Sequence, residues 1–455
     1  MLNNKKVVII GAGLAGSLLS IYLANRGYIV DVYERRPDMR VQDIGGGRSI
    51  NLALSVRGIH ALKEVGLFEE IKKIAIPMYG RMVHPLGGEV NLQPYGKDDT
   101  EYINSISRAE LNKLMMNMTE PDPNVTYYFN ERCTGMDFEK GLVHFTNEET
   151  HKEWSLEADV VIATDGATSP VRMEMLKVPR FNFSQDYENY GYKELTIPPG
   201  PNGDFLMHKN ALHIWPRGSY MLIALPNMDG SYTVTLFLAY DEALGGENSF
   251  EYLNSDQRVK EFFEKNFPDA IELMPELIDD FNSNPTGTLM TVKCFPWSYK
   301  DKVTMLGDSC HAIVPFFGQG MNAAFEDCIY LNEIIGKHEG NWERIFHEYE
   351  TIRKPNTDAI ADLARENFIE MRDLVDDERF LLKKKIEKEL FKKFPDRFVP
   401  KYSMVTFMRI PYSTALERGT MQEGILNELS KGMPDISNID WVKAEALINE
   451  NLPVL

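Results

Sequence analysis

The sequence predicts an α/β fold with a sheet-rich insertion and a helical C-terminal region. Three observations carry that prediction. A β-branched apolar run, a glycine-rich turn and a helical pattern follow one another within residues 6–25. Two later apolar runs, Ala158–Ala163 and Val303–Leu306, read as buried strands that end in Asp-Gly and Gly-Asp turns. From residue 342 onward apolar residues recur at helical spacing. A length of 455 residues allows two or three units with sizeable cores. The 43% hydrophobic and 26% charged content is that of a packed globular chain. A formal charge of -19 repels a phosphate backbone, which argues against nucleic acid as a partner.

The first element is the strand Lys6–Ile10, followed by Gly11, Ala12, Gly13, Leu14, Ala15 and Gly16, and then a helix marked by Leu18, Leu19, Tyr22 and Leu23. Gly11 suits the tight turn, Gly13 lets a pyrophosphate approach the backbone, and Gly16 lets the helix sit close on the strand. A second strand, Ile29–Tyr33, delivers Glu34 and Arg35 where a carboxylate can accept from ribose hydroxyls. Strand, turn, helix and acidic residue together predict a Rossmann-like unit binding an adenine dinucleotide, with FAD and NAD both open at this point. Lys5 and Lys6 before the uncharged stretch Val7–Asn25 resemble a signal peptide or membrane span, but the glycines and the strand argue against it. The C-terminal stretch Trp441–Leu455 carries Lys443, Glu445 and Glu450, so no membrane segment is expected. Cys133, Cys294, Cys310 and Cys328 form no CxxC pair, which predicts neither a disulfide framework nor a zinc knuckle and points to a cytoplasmic chain. The nine histidines show no ligand spacing, and no metal is expected.

The next elements decide the cofactor. The run Ala158 to Arg172 contains Asp165 and Gly166; the strand Val303–Leu306 leads into Gly307, Asp308, Ser309, Cys310 and His311. These resemble the DG and GD motifs of the group A FAD-dependent aromatic hydroxylases. The resemblance implies FAD, with Asp308 accepting from a ribityl hydroxyl. It also places the loop Pro315, Phe316, Phe317, Gly318, Gln319, Gly320, Met321 and Asn322 before a helix Ala323–Ile335 whose N-terminal amides face the flavin pyrimidine. It further implies reduction by NADPH and a C4a-hydroperoxyflavin as the reagent that hydroxylates an aromatic ring, so that no side chain is required as a catalytic nucleophile. Leu52, Ala53, Arg48 and Arg108 join the cofactor candidates. Ser107 and Glu110 also form a capping box that explains the sequence around Arg108 locally. His311 reads as structural.

The stretches Gly47–Ser55, Leu212–Arg217, Ile223–Met228, Ala312–Asn322, Asn367–Arg372 and Tyr402–Phe407 are similar to the kynurenine-hydroxylating branch of that family over nearly the whole chain. L-Kynurenine, an ortho-aminophenyl ketone with a free amino acid, needs a cation for its carboxylate, polar groups for its amine and apolar walls for its ring. The resemblance assigns Arg81 and Tyr95 to the carboxylate, and Asn367, Tyr402 and Glu370 to the amino-acid end. Leu212, Ile223, Leu225 and Phe237, on a hairpin turned around Asn227 to Gly230, are assigned to the ring together with Pro315 and Phe316. Taken alone, Arg81 reads as a surface arginine, Glu370 as a solvated helix carboxylate and the apolar set as core.

The expected organisation is a discontinuous FAD-binding domain at 1–75, 101–175 and 293–340, a substrate domain at 76–100 and 176–292, and helices over 341–455. Trp342–Val375 and Glu378–Phe394 read as helices, the second stopped by Pro395. Leu382, Ile386 and Leu390 make its apolar stripe, and Lys383, Lys384, Lys385, Lys388, Lys392 and Lys393 its basic face, read as solvated. A soluble bacterial-type form without a membrane anchor is the expectation, and a homodimer stays open. The alternatives are a hydroxylase of another aromatic acid on the same fold, or a flavin redox sensor without turnover. Disulfide reductases, which carry two dinucleotide units and a CxxC, and halogenases, which carry a WxWxIP signature, are disfavoured.

Overall fold

The run Lys6–Ile10 lies inside a six-stranded sheet ordered Ser298–Tyr299, Val303–Met305, Val160–Ala163, Lys6–Ile10, Ile29–Tyr33 and Val125–Tyr128. The computed structural model describes residues 6–41, 51–96, 99–373 and 378–455. All pairs in this sheet are parallel except the edge made by Ser298–Tyr299. Val7, Val8, Ile9 and Ile10 are at most 3% exposed, which is why they read as a continuous apolar run with no alternation. The helices Leu14–Asn25, Arg108–Thr119 and Gly320–His338 pack with this sheet. The strand end that carries the DG turn therefore lies beside the end of the first strand, and the one that carries the GD turn lies next beyond it, where an open α/β sheet binds its ligand.

A seven-stranded sheet forms the second layer, in the order Gly287–Phe295, Asn182–Ile197, Tyr232–Ala239, Met221–Pro226, Leu212–Pro216, Gly80–Val83 and Asn91–Pro94. Tyr232–Ala239 is buried along its whole length because both of its faces are covered. Val234, Leu236 and Leu238 face the helices around Phe262 and Phe281, whereas Phe237 and Ala239 face Phe316 and the C-terminal helices, as a period of two requires. The turn expected at Asn227 to Gly230 closes with the Ser231 carbonyl accepting from Asn227 at 2.8 Å, and Gly230 takes φ +89° there. Leu212 departs from expectation: it lies on the neighbouring strand Leu212–Pro216, making a three-strand meander, and pairs in parallel with Arg81. This parallel pairing is non-local, so no hairpin signal marks it.

The strand Gly287–Phe295 keeps the second sheet running to Phe295, past the expected boundary at 292. The helix after the flavin loop begins at Gly320, earlier than Ala323, because Gly318 at φ +65° turns the chain and leaves Gln319 at the N-cap position. Trp342–Asp373 and Glu378–Lys393 are the expected long helices; Val375 lies outside the described residues. Ile386 and Leu390 pack against Phe398, Ile425 and Ile448. Much of the basic face is matched by this chain's own groups: Lys383 pairs with Glu423, Lys392 with Glu389, and Lys393 sits 4.3 Å from the Trp441 ring centre. No helix among the described residues is long and apolar enough to cross a membrane.

Candidate active site

The first strand, its turn and its helix form a cradle whose fit to a dinucleotide can be tested atom by atom. A Cβ on Gly11, at φ +100°, would lie 2.6 Å from the Thr164 carbonyl oxygen, and one on Gly16 would lie 2.0 Å from the Gly11 carbonyl oxygen. A Cβ on Gly13 would meet nothing within 4 Å, which leaves space against the backbone where a pyrophosphate needs it. Glu34 is 7% exposed and its Oε2 accepts from Ala12 N at 2.9 Å, while Oε1 accepts from Arg36 N at 3.0 Å. Oε1 also accepts from Arg36 Nε at 2.9 Å, which leaves Oε2 as the oxygen with a lone pair for a ribose hydroxyl. Arg35 is exposed beside it.

Two orphaned acceptors lie around this cradle. Asp165 Oδ1 is buried without a hydrogen-bond partner, and burial pushes its carboxyl up to about 6. Asn112 donates to the Ala12 carbonyl at 2.8 Å and leaves its Oδ1 buried and unpaired. Gly166, at φ +81°, opens onto space with nothing within 4 Å of a Cβ. Across the stretch 303–311 Asp308 alone is exposed, while Gly307 beside it is buried at φ +70°. Acceptors without donors and glycines facing open space fit a ligand rich in hydroxyls and phosphate, and FAD is such a ligand.

The loop after the GD turn is locked from several sides. Asn322 Nδ2 donates to the carbonyls of Ala53 and Gly318, each at 2.9 Å, and its Oδ1 accepts from Ser55 N at 2.9 Å. A Cβ on Gly318 would stand 3.1 Å from Ala53 Cβ, so the loop and the strand Asn51–Leu54 touch closely. Leu52 and Ala53 of that strand are half-buried, as are Ala15 and Met321. Arg108 begins the helix Arg108–Thr119, capped by Ser107 as the sequence predicts. Its charge acts on Glu194, whose carboxyl burial raises to about 7 against the arginine's opposing pull. Arg48 lies outside the described residues.

Arg81 stands across from this loop, with its guanidinium carbon 4.7 Å from the Tyr402 ring centre and 5.5 Å from that of Tyr95. The two tyrosine rings stack at 5.6 Å, and Phe317 of the flavin loop stacks on Tyr402 at the same spacing of 5.6 Å. No carboxylate among the described residues pairs with Arg81. Burial pulls the guanidinium down, but Tyr402 and Tyr95 raise it further, so it remains charged. The Tyr95 hydroxyl is buried without a hydrogen-bond partner, and burial followed by Tyr402 pushes it well up despite Arg81. The site therefore presents a lone cation and an unsatisfied hydroxyl inside an aromatic frame.

Apolar walls adjoin this frame. Leu212, Ile223 and Leu225 cluster with Tyr95, Ala53 and Phe407, while Phe237 lies 5.0 Å from Phe316, which stacks on Phe368 at 4.1 Å. Pro315 and Phe316 form the first turn of the loop, in a 3₁₀ conformation. Asn367 and Glu370 diverge. Asn367 donates to the Phe316 carbonyl at 2.8 Å, while Glu370 sits 3.5 Å from Lys401 and 3.6 Å from Lys384. His311 is buried against Asp327 at 2.6 Å.

Several site residues were not expected. Arg172 donates to the carbonyls of Ser309 at 2.7 Å and Ala167 at 2.5 Å, tying the DG segment to the GD segment. Asn112, Phe317, Phe368 and Phe407 complete the two half-sites, and of these Phe317, Phe368 and Phe407 fall in stretches that carried a signal. Asn112 and Arg172 look like ordinary polar positions on helices.

Comparison with known proteins gives a consistent result. A family model described as an FAD binding domain matches residues 4–364. Kynurenine 3-monooxygenase of Myxococcus xanthus is 49% identical over 446 residues, covering 98% of this chain and 95% of that protein. The enzyme of the same name from Dictyostelium discoideum is 44% identical over 466 residues, covering 99% of each. Among solved structures, 2-methyl-3-hydroxypyridine-5-carboxylic acid oxygenase superposes with a TM-score of 0.65 at 19% identity, over 82% of this chain and 94% of that one. PqsL of Pseudomonas aeruginosa gives 0.64 at 19% identity, over 82% and 97%. These two likenesses concern the fold.

Proposed function

The chain belongs to the kynurenine 3-monooxygenase family of FAD-dependent aromatic hydroxylases, and we propose how its pocket serves that reaction. It is a flavoprotein monooxygenase that converts L-kynurenine to 3-hydroxy-L-kynurenine with NADPH and O2. The chemistry asked of bound FAD is to take electrons from NADPH and deliver one oxygen atom to the ring. Everything else is positioning by this chain's own residues.

Arg81 receives the substrate carboxylate through two parallel N–H bonds, and the hydroxyls of Tyr95 and Tyr402 add directed bonds. The observation that carries this reading is the half-buried Arg81 cation held against two tyrosine rings with no carboxylate partner among the described residues. Leu212, Ile223, Leu225, Phe237, Pro315 and Phe316 hold the aromatic ring and exclude water from the reacting carbon. Asn367 acts through the loop, by fixing the Phe316 carbonyl, and Glu370 acts by holding Lys401 beside Tyr402. Glu34, Asp165, Gly166, Asp308 and the turn Gly11–Gly16 hold the cofactor. The buried, unpaired thiols of Cys133, Cys294, Cys310 and Cys328 support a cytoplasmic setting.

The test is anaerobic stopped-flow reduction of the yellow protein by NADPH with and without L-kynurenine, followed by product analysis in air. Faster flavin reduction with kynurenine and 3-hydroxykynurenine as product is the expected result. Peroxide as the sole product would make kynurenine an effector and refute the assignment of the ring pocket.

A further inference from the structure

Behind the flavin loop runs a chain of buried ions that the reaction, as proposed, leaves without a role. Arg57 Nη1 meets Glu326 Oε1 at 2.6 Å, and Glu326 Oε2 meets Arg353 Nη1 at 2.7 Å. Arg353 Nε in turn meets Asp327 Oδ1 at 2.7 Å, and Asp327 Oδ2 meets His311 Nε2 at 2.6 Å. All five side chains are at most 4% exposed. Stability alone is a poor reason for such an array, since well-packed apolar groups of similar volume often serve as well or better.

Its two ends are what distinguish it. At one end Asp327 Oδ2 also accepts from Gly307 N at 3.2 Å, so the array holds the turn that precedes Asp308. At the other end Arg57 donates to the Val405 carbonyl at 3.2 Å and the Ile410 carbonyl at 2.5 Å, with its guanidinium carbon 3.8 Å from the Tyr412 ring centre. Val405 lies one turn beyond Tyr402 on the helix Lys401–Thr406. The Tyr412 hydroxyl reaches back to the flavin loop, donating to Gln319 Oε1 at 2.9 Å. Tyr402 belongs to no sheet, and its place opposite Arg81 depends on these anchors and on Lys401, which pairs with Glu366 at 2.9 Å.

We infer that Arg57 is a positioning residue for substrate recognition: by holding the Val405 and Ile410 carbonyls it sets the Tyr402 helix against the flavin loop, and so sets the width of the Arg81–Tyr95–Tyr402 clamp. The inference rests on the clamp proposed above. A planar guanidinium serves Glu326 and both carbonyls from three separate nitrogens, whereas a lysine ammonium carries all its donors on one nitrogen and cannot reach all three acceptors. The cofactor turn is anchored at the opposite end, through Asp327, so the two affinities should separate when one end is changed.

The experiment uses purified holoenzyme and two readouts: L-kynurenine affinity from perturbation of the flavin absorbance without NADPH, and FAD release on dilution. Arg57→Lys should raise the kynurenine Kd at least tenfold and change FAD release less than twofold, with KM rising more than kcat falls. Asp327→Asn should release FAD while the protein that retains it binds kynurenine within threefold of the parent. An unchanged kynurenine Kd in Arg57→Lys overturns the inference, and so does equal weakening of both ligands, which marks a purely structural role. Should Arg57→Lys fail to give yellow protein, Arg57→Gln, whose amide cannot reach both carbonyls, carries the test: a kynurenine Kd raised about tenfold supports the role and an unchanged one overturns it. Arg81→Ala run alongside separates the two claims, because unchanged affinity there refutes the clamp, whereas weakened affinity there with none in Arg57→Lys refutes the positioning role alone.

Discussion

Replacing Arg81 with alanine removes the one cation that the clamp offers to a carboxylate, and the size of the effect follows from what is left. Tyr95 and Tyr402 keep their hydroxyls, stacked at 5.6 Å, but a bound carboxylate would sit in an aromatic frame without its counter-ion. Truncating one partner of a desolvated charge pair costs about 3–5 kcal/mol. That corresponds to a kynurenine Kd raised by about two to three and a half powers of ten. The unliganded protein should lose only about 1–2 kcal/mol, the contribution of the guanidinium contacts to the Tyr402 and Tyr95 rings, because among the described residues no carboxylate pairs with Arg81. Bound FAD should be unaffected, since none of the cradle residues touches Arg81. The assay is titration of the holoenzyme with L-kynurenine by flavin absorbance, with the thermal midpoint and flavin content measured on the same samples. A Kd raised less than tenfold would refute the carboxylate role. So would a larger loss of stability together with flavin loss, because Arg81 would then be a structural residue.

Three further outcomes follow from the geometry. Gly16→Ala forces a Cβ to within 2.0 Å of the Gly11 carbonyl oxygen, so the helix must move off the strand; purified protein should be colourless, and a normal flavin content would contradict the cradle. Asn322→Ala deletes bonds to Ala53, Gly318 and Ser55 at once; folding stability should fall by roughly 2–4 kcal/mol and FAD release should quicken, both measurable by denaturant titration and flavin fluorescence. His213 is held down to about 4 by burial, against the pull of the His208 carbonyl, so its neutral form is the folded form. Stability from this depressed group is present above the ordinary histidine value near 6.5 and is lost as pH falls toward 4. His213→Gln should therefore flatten the fall of the melting temperature between about pH 6.5 and 5, and an unchanged slope would exclude His213 as a source.

The parts of the site that could be read in advance share one property: their partners lie close in the chain or in a stereotyped order. Gly11, Gly13 and Gly16 serve a turn made by their own neighbours, and Ser107 caps a helix through Glu110 three residues on. The DG and GD turns were legible because each closes a short buried strand, and parallel pairing of those strands then brings them together. Asn112, Arg172, Arg57 and Arg353 were not legible. Each sits in an amphipathic helical pattern where a polar residue ordinarily faces water, and only a distant partner, such as Ser309 for Arg172 or Val405 for Arg57, gives it a buried role.

By itself the sequence determined the strand–turn–helix that cradles a dinucleotide, the flavin motifs in their order, and the long helices from residue 342, because apolar periodicity and glycine geometry are local properties. It also supplied, through resemblance, the substrate to expect. Tertiary structure alone decided that Leu212 stands beside Arg81 on a parallel strand, that Asn367 holds the Phe316 carbonyl while Glu370 turns to Lys401, and that Arg81 has no carboxylate partner among the described residues. The physical reason is that desolvation and pairing depend on what the rest of the chain places within a few ångströms, and in this protein those neighbours come from other elements of the chain, from tens of residues away to several hundred.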